Sequence, residues 1–281
     1  MTAIEIVSAG MASSIRDAGR VGSAHLGSSR GGAVDLAALH LGNRLVGNLP
    51  STAAFETSGG LVLRAHQPVM VAVTGSPVDL AVDAGPPVGW GMPAVLPSGA
   101  VLRIGRLRGG ARCYVAVRGG VTRAGGDDAL FDVGLEPGQS PSPVAAVPRT
   151  LDRSVRVWRG PRADWFESEA WAQLLASAWS VLPDSDRMGL RLDGPPLQRL
   201  IARELPSEGL VEGAIQVPPD GRPIVMLADH PATGGYPVLA VVDPADLGLV
   251  AQRPPGSTLT FVPATRRPRV AARHGCAESL G

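Results

Sequence analysis

Residues 60–82, GLVLRAHQPVMVAVTGSPVDLAV, contain three short apolar runs that are separated by turn-forming residues. Two further runs of the same kind follow, AVLRIGRL at 100–107 and RCYVAVRGG at 112–120. Short runs rich in valine, leucine and isoleucine, bounded by glycine and proline, are typical of β-strands. Because no helical pattern lies between these runs, their spacing predicts an antiparallel barrel or sandwich within a mainly β fold.

The second half of the chain echoes the first. LPSGAVLRIG at 96–105 and RPPGSTLTFV at 253–262 share a proline–glycine turn followed by alternating apolar positions. This echo predicts two similar domains, and the loop-like composition of residues 125–148 makes them the candidate linker. We therefore predict an N-terminal domain at 1–148, a C-terminal domain at 149–265, and a flexible, arginine-rich tail at 266–281.

Two segments have helical patterns. Residues 33–48 are apolar almost all round and end in Gly-Asn, which predicts a buried helix. Residues 163–180 contain Asp164 followed three positions later by Glu167, an arrangement typical of a capping box. We expect one helix there, with the tryptophans of its apolar stripe in the core: Trp165, Trp171 and Trp179.

The composition excludes several kinds of site. The 281-residue chain has a formal net charge of +1 and contains no lysine, which removes Schiff-base and P-loop lysines and gives no reason to expect nucleic acid. Its two cysteines, Cys113 and Cys276, are too few and too far apart for a disulfide framework or a zinc site, so no metal is expected. We see neither a signal peptide nor an apolar run long enough for a membrane span, and we expect a cytoplasmic protein.

The sequence TGGY at 233–236 lies between two apolar runs. Adjacent glycines can cradle a phosphate, form a tight turn, or shape the lip of a pocket. A phosphate cradle leads into a helix N-terminus, whereas the YPVLAVV that follows here has a strand pattern. Taken alone, the pattern favours a turn that enters an edge strand over a nucleotide site.

Two charged clusters have comparable alternatives. In SSIRDAGR, Arg16, Asp17 and Arg20 lie close together, and a guanidinium binds a carboxylate or a urea-like oxygen through two parallel hydrogen bonds. The same residues can also form an ion pair that only holds a loop. In LPDSDRMG, Asp186 and Arg187 fit either the rim of a barrel or a capped turn. None of the five histidines lies in a recognisable serine or cysteine nucleophile motif, although a triad assembled in space stays open.

Three long stretches together resemble one known family. They are IRDAGRVGSAHLGSSRGGAVDLAALHLGNRLVGN at 15–48, SDRMGLRLDGPPL at 185–197, and EGLVEGAIQVPPDGRPIVMLADHPATGGYPVLAVV at 208–242. In order and spacing they are similar to the allophanate hydrolase subunit 2 family, which is also described as KipA-like, as biotin-dependent carboxyltransferase-like, or as the C subunit of 5-oxoprolinase. The resemblance extends over roughly residues 4–263.

The resemblance implies a mainly β fold of two cyclophilin-like β-barrel domains with a few short helices. It implies a partner, the allophanate hydrolase subunit 1 protein (KipI-like, the B subunit of 5-oxoprolinase), and a small urea- or lactam-like amide as substrate. The expected activity is ATP-dependent hydrolysis of 5-oxoproline in the complex. The alternatives are a non-catalytic, regulatory partner of a KipI-like protein and the carboxyltransferase component of a urea carboxylase. Because the chain has no lysine, biotin is expected only on another polypeptide.

The site residues carried over from the resemblance come from all three stretches. The expected catalytic residues are Asp17, Arg20, Asp186, Arg187 and Tyr236. The expected substrate-binding residues are Asp35, Asn43, Asn48, Gln216, Asp229, Thr233, Gly234 and Gly235. In this interpretation TGGY is a pocket lip that meets the arginine-bearing early loop across a groove between the barrels. The chain departs from the family pattern at Arg16, where glutamine is usual, and in a short segment after Val121.

Overall fold

The computed structural model describes residues 3–124, 129–134, 140–142, 146, 152 and 154–265. Short strands dominate and helices are few, so the predicted mainly β class is confirmed. The first half contains one helix, α1 (Leu36–Val46), and eleven strands: β1 (Ile4–Ser8), β2 (Ser14–Arg16), β3 (Ala54–Thr57), β4 (Val62–Ala65), β5 (Val69–Gly75), β6 (Val78–Asp83), β7 (Pro93–Leu96), β8 (Val101–Leu107), β9 (Cys113–Val117), β10 (Val121–Arg123) and β11 (Leu130–Val133).

The second half adds two short helices, α2 (Ala170–Ala176) and α3 (Leu247–Ala251). Its strands are β12 (Ser154–Arg159), β13 (Ala178–Val181), β14 (Gly189–Asp193), β15 (Glu208–Gly209), β16 (Ala214–Gln216), β17 (Ile224–Met226), β18 (Thr233–Gly234), β19 (Val238–Val242) and β20 (Thr258–Pro263). Seven of them close into a barrel in the order β12-β19-β16-β17-β14-β13-β20. The barrel is antiparallel except where its first and last strands, β12 and β20, pair in parallel.

The first half is built from two antiparallel sheets, β10-β11-β1-β4-β8-β6 and β2-β3-β9-β5-β7. Both sheets contribute to one core, in which Phe55 and Phe131 meet edge to face with ring centroids 5.3 Å apart. Along β8, Leu102 and Ile104 are buried while Arg103 between them is exposed, as the alternation of a strand requires. The early strand patterns therefore correspond to observed strands, and within the described residues their ladders form two sheets instead of one closed barrel.

The predicted single helix over 163–180 is confirmed only at Ala170–Ala176, and its two ends are wrong. The structure has a 3₁₀ turn at Ala163–Trp165, then α2, and then strand β13, and no side-chain hydrogen bond caps either helical piece. Trp179 explains the break, because its fully buried ring fills the barrel core while its indole N–H donates to Leu174 O at 2.9 Å. Burying that ring in the barrel outweighs local helix preference. Trp165 and Trp179 are core residues as predicted, whereas Trp171 is partly buried beneath the Arg159 guanidinium.

Helix α1 covers the outer face of one first-half sheet. Asp35 caps it by accepting a hydrogen bond from Ala38 N at 3.1 Å, and Gly47 ends it with a left-handed backbone at φ 78°. Asn43 and Asn48 are buried beside this helix and hydrogen-bond to one another at 3.1 Å. Their remaining partners are main-chain groups, including Thr52 O, so the structure places both amides in the packing of α1. The predicted buried helix is thus confirmed.

The two halves are tied together by Gln252, which follows α3. Its buried side chain accepts hydrogen bonds from the backbone N–H groups of Ala111 and Arg112 at 3.1 and 3.0 Å. Its Nε2 donates to Asp35 Oδ2 and to Arg112 O, both at 3.0 Å. One amide from the second half therefore satisfies four polar groups of the first half.

We expect Gln252→Ala to lower the free energy of unfolding by about 2 kcal/mol, because it leaves backbone donors of the loop before β9 without an acceptor. Urea unfolding followed by tryptophan fluorescence measures the change. Gln173→Ala is the matched control, since that amide makes one solvent-exposed hydrogen bond to Pro196 O, and its effect should stay within about 0.5 kcal/mol. Equal effects of the two substitutions would contradict the role given to Gln252.

Most of the proposed linker, 125–148, lies outside the described residues. Its described part includes Leu130–Val133, which is strand β11 of a first-half sheet, so the loop-like interpretation is wrong there. The tail at 266–281 also lies outside the described residues. The domain boundary and the flexible tail therefore stay predictions. Among the helices that the structure describes, none combines the length and the apolar character needed to cross a membrane.

Candidate functional site

A polar pocket of about 320 Å³ opens where the early loop approaches the second half. We call it the arginine pocket, and its walls are Ile15, Arg16, Asp17, Gly19, Arg20, Ser28, Ser29, Arg30, Gly31, Gly32 and Ala53. Three guanidinium groups and one carboxylate thus line a single concave space. Such a surplus of positive charge suits an anionic group on a small ligand.

Arg30 is the fixed wall of this pocket. Its guanidinium forms a two-point ion pair with Glu212, at 2.8 Å from Nε and 2.9 Å from Nη2. The same group donates to the carbonyl oxygens of Ala18 and Ala33, each at 3.0 Å. Because its donors are taken up by the protein, Arg30 shapes the pocket and anchors it to the second half of the chain.

Arg20 is the available cation of the pocket. The structure gives its exposed guanidinium no hydrogen bond or ion pair with any of the described residues. Arg16 is partly committed, since its Nε donates to Ser14 Oγ at 3.0 Å and its Nη2 lies 3.7 Å from Asp229 Oδ2. A ligand carboxylate entering the pocket would therefore find its free donors on Arg20.

Close backbone packing holds the loop in place. Asp17 Oδ1 accepts a hydrogen bond from Gly19 N at 2.8 Å, and Arg20 N donates to Arg30 O at 2.7 Å. Gly32 has φ +72°, and a Cβ added there would collide with the Gly19 backbone. Glycine is required at this position because the two loop segments touch without room for a side chain.

Behind the pocket, Arg187 joins the two halves through a network of ion pairs. Its Nε and Nη2 donate to the Asp229 carboxylate at 2.8 and 3.2 Å, and its other contacts are the Glu56 carboxylate and Gly32 O. Burial alone lowers the pKa of Arg187, but the hydrogen bonds and charges of Asp229 and Glu56 outweigh it and the pKa is raised. Arg187 is therefore permanently charged, and it links Glu56 of the first half to Asp229 of the second half.

Glu56 is the centre of the network on the first-half side. Its side chain is 1% exposed, and it accepts hydrogen bonds from Tyr114 Oη at 2.7 Å and Val34 N at 3.2 Å. Arg112 Nε lies 3.7 Å from the same carboxylate. Burial and then the negative charge of Glu56 raise the pKa of the Tyr114 hydroxyl well above its ordinary value, so Tyr114 acts as a donor.

Burial and the charge of Glu56 also raise the pKa of the neighbouring Cys113 thiol from 9.0 to about 12. We expect this thiol, studied in a Cys276→Ser chain, to react with a disulfide reagent at pH 8 about 10³-fold more slowly when folded than in urea, since 12 − 9.0 is three pKa units. Because the pKa is higher in the folded state, this group's contribution to stability is complete below pH 9 and is lost as the pH rises toward 12. Rapid labelling of the folded chain would contradict the assignment.

The diglycine corner lies in a second pocket, of about 290 Å³, against the outer face of the barrel wall formed by β14, β17 and β16. Gln216 lines it and donates to Tyr236 O at 2.8 Å, and a Cβ at Gly234 would lie 2.7 Å from that amide nitrogen. Tyr236 is 44% exposed at the rim, and Thr233 is exposed on β18. The corner leads into strand β19 and not into a helix N-terminus. This agrees with the sequence pattern, which favoured a turn entering a strand over a phosphate loop.

The early loop and the third sequence stretch do meet, but at a different point from the one expected. Gly31 N donates to Ala228 O at 2.9 Å, and Asp229 faces Arg16 and Arg187. The diglycine corner itself shares no lining residue with the arginine pocket. The expected single groove is thus two pockets, and Asp229, in the turn after β17, lines neither of them.

Of the other residues carried over from the resemblance, some line one of the two pockets and others lie outside both. Asp186 lines the diglycine pocket, and its Oδ1 accepts hydrogen bonds from Met188 N and Gly189 N at 2.8 and 3.0 Å, which is the capped turn that the sequence left open. Asp35 lies in neither pocket, because it caps α1 and bonds to Gln252. Within the described ranges, no group of three or more His, Cys, Asp or Glu side chains is arranged to hold a metal ion.

Sequence reasoning missed the residues that build the site from within: Glu56, Arg112, Tyr114, Glu212 and Gln252. A signal existed for one of them, since Glu56 is the charged residue of the short strand AFET, and all four residues of that strand are buried. A carboxylate at such a position needs a buried partner. Its partner Arg187 lies 131 residues away, so the sequence alone could not identify the pair.

Comparison with known proteins agrees with this architecture. Residues 26–125 and 129–263 match the family described as "Carboxyltransferase domain, subdomain A and B". The chain belongs to this carboxyltransferase domain family. It is 32% identical to the C subunit of 5-oxoprolinase from Escherichia coli over 293 aligned residues, which cover 96% of this chain and 94% of that protein.

Two solved structures show the same fold. The crystal structure of TTHA0988 is 31% identical, superposes with a TM-score of 0.81, and is matched over 93% of this chain and 55% of that one. The Kluyveromyces lactis urea amidolyase is 27% identical with a TM-score of 0.84, matched over 93% of this chain and 19% of that one. The chain thus spans about half of the first structure and less than a fifth of the second.

Proposed function

We propose that this member of the carboxyltransferase domain family is one component of a 5-oxoprolinase-type complex and binds a small lactam bearing a carboxylate. The observation that carries the proposal is the free Arg20 guanidinium in the arginine pocket. Its support from relatives is the alignment with the C subunit of 5-oxoprolinase, which runs over nearly the whole of both chains. 5-Oxoproline combines a cyclic amide with a carboxylate, so it offers this guanidinium an anionic partner.

In this proposal Arg20 and Arg16 pair with the substrate carboxylate, and Asp17 lies beside them to orient the group or to accept a proton. Arg30 and Arg187 do not touch the substrate, since their donors bind Glu212, Glu56 and Asp229. They are positioning residues that hold the loop against the second half. Tyr236 and the diglycine corner, in the neighbouring pocket, would meet a partner subunit or a second part of the substrate.

The proposal includes partner subunits because the pocket is open and carries no complete set of catalytic groups. An allophanate hydrolase subunit 1 protein (KipI-like, the B subunit of 5-oxoprolinase) would close over it. ATP would be used by the complex, and the diglycine corner of this chain, which leads into a strand, supplies no phosphate cradle for it. Any biotin would likewise be carried by another polypeptide, because the chain has no lysine to bear it.

A second candidate is the carboxyltransferase component of a urea carboxylase, which the similarity to urea amidolyase favours. Urea itself is neutral, so in that reaction the carboxylate facing Arg20 would belong to the carboxybiotin donor or to the allophanate product. A third is a non-catalytic regulatory partner of a KipI-like protein, for which turnover would be absent in every combination of subunits. The three candidates therefore differ in which substrate, if any, supports turnover.

Reconstitution tests the proposal. The chain is co-expressed with the genes for subunit 1 and the third subunit of its own genome, and ATP hydrolysis is measured with 5-oxoproline, urea or allophanate. We expect turnover that depends on 5-oxoproline and on all subunits. Transfer of the carboxyl group from a carboxylated biotin carrier protein to urea, giving allophanate and free biotin carrier, would support the second candidate, and a stable complex without turnover would support the third.

A further inference from the structure

A third, very different cavity lies between the N-terminal end of α1, the turn after β5, and α3. We call it the apolar chamber; it holds about 300 Å³, and its walls include Asp35, Ala37, Leu41, Ser76, Trp90 and Gln252. This volume is at the lower end of the range for sites that bind small molecules. We propose that the apolar chamber binds a small aromatic cation, with the positive group facing Asp35 and the ring against Trp90.

The walls of the chamber are held rigidly, so the space exists before a ligand arrives. Gln252 bonds to the backbone of the Ala111 loop and to Asp35, which fixes the wall from the second half. Two glycines allow the walls to pack closely. A Cβ at Gly248 would lie 2.6 Å from Asp35 Oδ1, and one at Gly110 would lie 2.7 Å from Ser76 Cβ, so neither position has room for a side chain. A preformed cavity costs a ligand little conformational entropy on binding.

The charge of the chamber selects a cation. Asp35 is 6% exposed, and its carboxylate is oriented by hydrogen bonds from Ala38 N and Gln252 Nε2. Arg108, the basic residue on the wall, is exposed at the rim and forms an ion pair with Asp79. A carboxylate in a largely apolar, enclosed space interacts strongly with a positive group that enters it.

Trp90 favours a cation whose charged group is attached to an aromatic ring. Its indole N–H donates to Ser76 O at 3.2 Å, so this polar atom is already satisfied and the half-buried ring is left for packing. A cation close to an indole face gains further electrostatic attraction, and an aromatic ring stacks on it. Leu41, Ala37 and Pro77 complete apolar walls around it.

The apolar chamber is independent of the proposed function. It shares no lining residue with the arginine pocket, and its buried charged group is the Asp35 carboxylate, whereas the arginine pocket is lined by three guanidinium groups. A ligand for the chamber therefore differs in chemistry from a carboxylate-bearing lactam, and either proposal can fail without the other.

Isothermal titration of the full chain with benzamidine, an aromatic cation, tests this inference, and benzamide serves as the neutral probe of the same shape. We expect benzamidine to bind with a Kd below about 1 mM and benzamide at least about tenfold more weakly. Asp35→Asn keeps the helix cap but removes the charge, so it should weaken benzamidine binding about tenfold and leave benzamide unchanged.

Ala37→Phe, on the exposed surface of α1, places a ring at the mouth of the chamber and should abolish binding of both probes. Arg44→Phe adds the same ring to an exposed position of α1 outside the chamber and should not affect binding. Circular dichroism checks that each variant is folded. Absence of benzamidine binding to the wild-type chain, equal binding of the two probes, or unchanged affinity in Ala37→Phe would overturn the inference.

Discussion

Arg187→Met is expected to lower the free energy of unfolding by about 3–5 kcal/mol, the cost typical of removing one partner from a buried ion pair. The side chain of Arg187 is 17% exposed, and its loss would leave the almost fully buried Glu56 carboxylate and the Asp229 carboxylate without their main cation. Methionine fills a similar length without charge, so the effect reports the unpaired carboxylates and not an empty volume. Urea unfolding at pH 7 measures it.

Arg191→Met is the matched control for this prediction. Arg191 lies four residues along the chain, is half exposed, and forms an ion pair with Asp184 at 3.3 Å, so its replacement should change stability by no more than about 0.5 kcal/mol. Adding Glu56→Gln to Arg187→Met should recover part of the loss, because the amide removes the buried charge. An Arg187 variant that unfolds at the wild-type urea concentration would show that the network does not join the halves.

Arg20→Ala is expected to reduce the kcat/KM of the reconstituted complex for 5-oxoproline by about 100-fold, the size of effect seen when one preorganised charged donor is lost. The Arg20 guanidinium has no partner among the described residues, so the substitution removes a group that is free to bind ligand and leaves the loop contacts of Arg30 and Asp17 intact. The free energy of unfolding should therefore stay within about 0.5 kcal/mol of wild type. Steady-state kinetics and urea unfolding on the same preparations separate the two effects.

Arg106→Ala provides the control for charge alone. Arg106 is exposed on β8 and does not line the arginine pocket, so its removal changes the net charge equally without affecting the site. We expect unaltered turnover in that variant. If Arg20→Ala retained wild-type turnover of 5-oxoproline in an intact complex, the carboxylate-binding role given to Arg20 in the arginine pocket would be wrong.

Local sequence determined the strands of this protein and most of α1. Apolar alternation in runs such as VLRIGRL needs only neighbouring residues to specify which side chains face the core, and the Asp35 and Gly47 signals for α1 are equally local. The long stretches that resemble one family identified that family correctly, since the family model matches residues 26–125 and 129–263. The helix over 163–180 failed because the distant barrel core competes for Trp179.

Tertiary structure alone decided how the polar residues are grouped. Arg187 contacts Glu56 over a separation of 131 residues and Gly32 of the early loop over 155, and Arg16 lies beside Asp229 over a longer separation still. No local pattern specifies such pairings. The same packing places the diglycine corner in its own pocket and encloses the apolar chamber with Asp35 and Gln252 from opposite halves. A strand pattern depends on residues that are adjacent in the sequence, whereas the charge balance of a site depends on which distant segments the fold brings into contact.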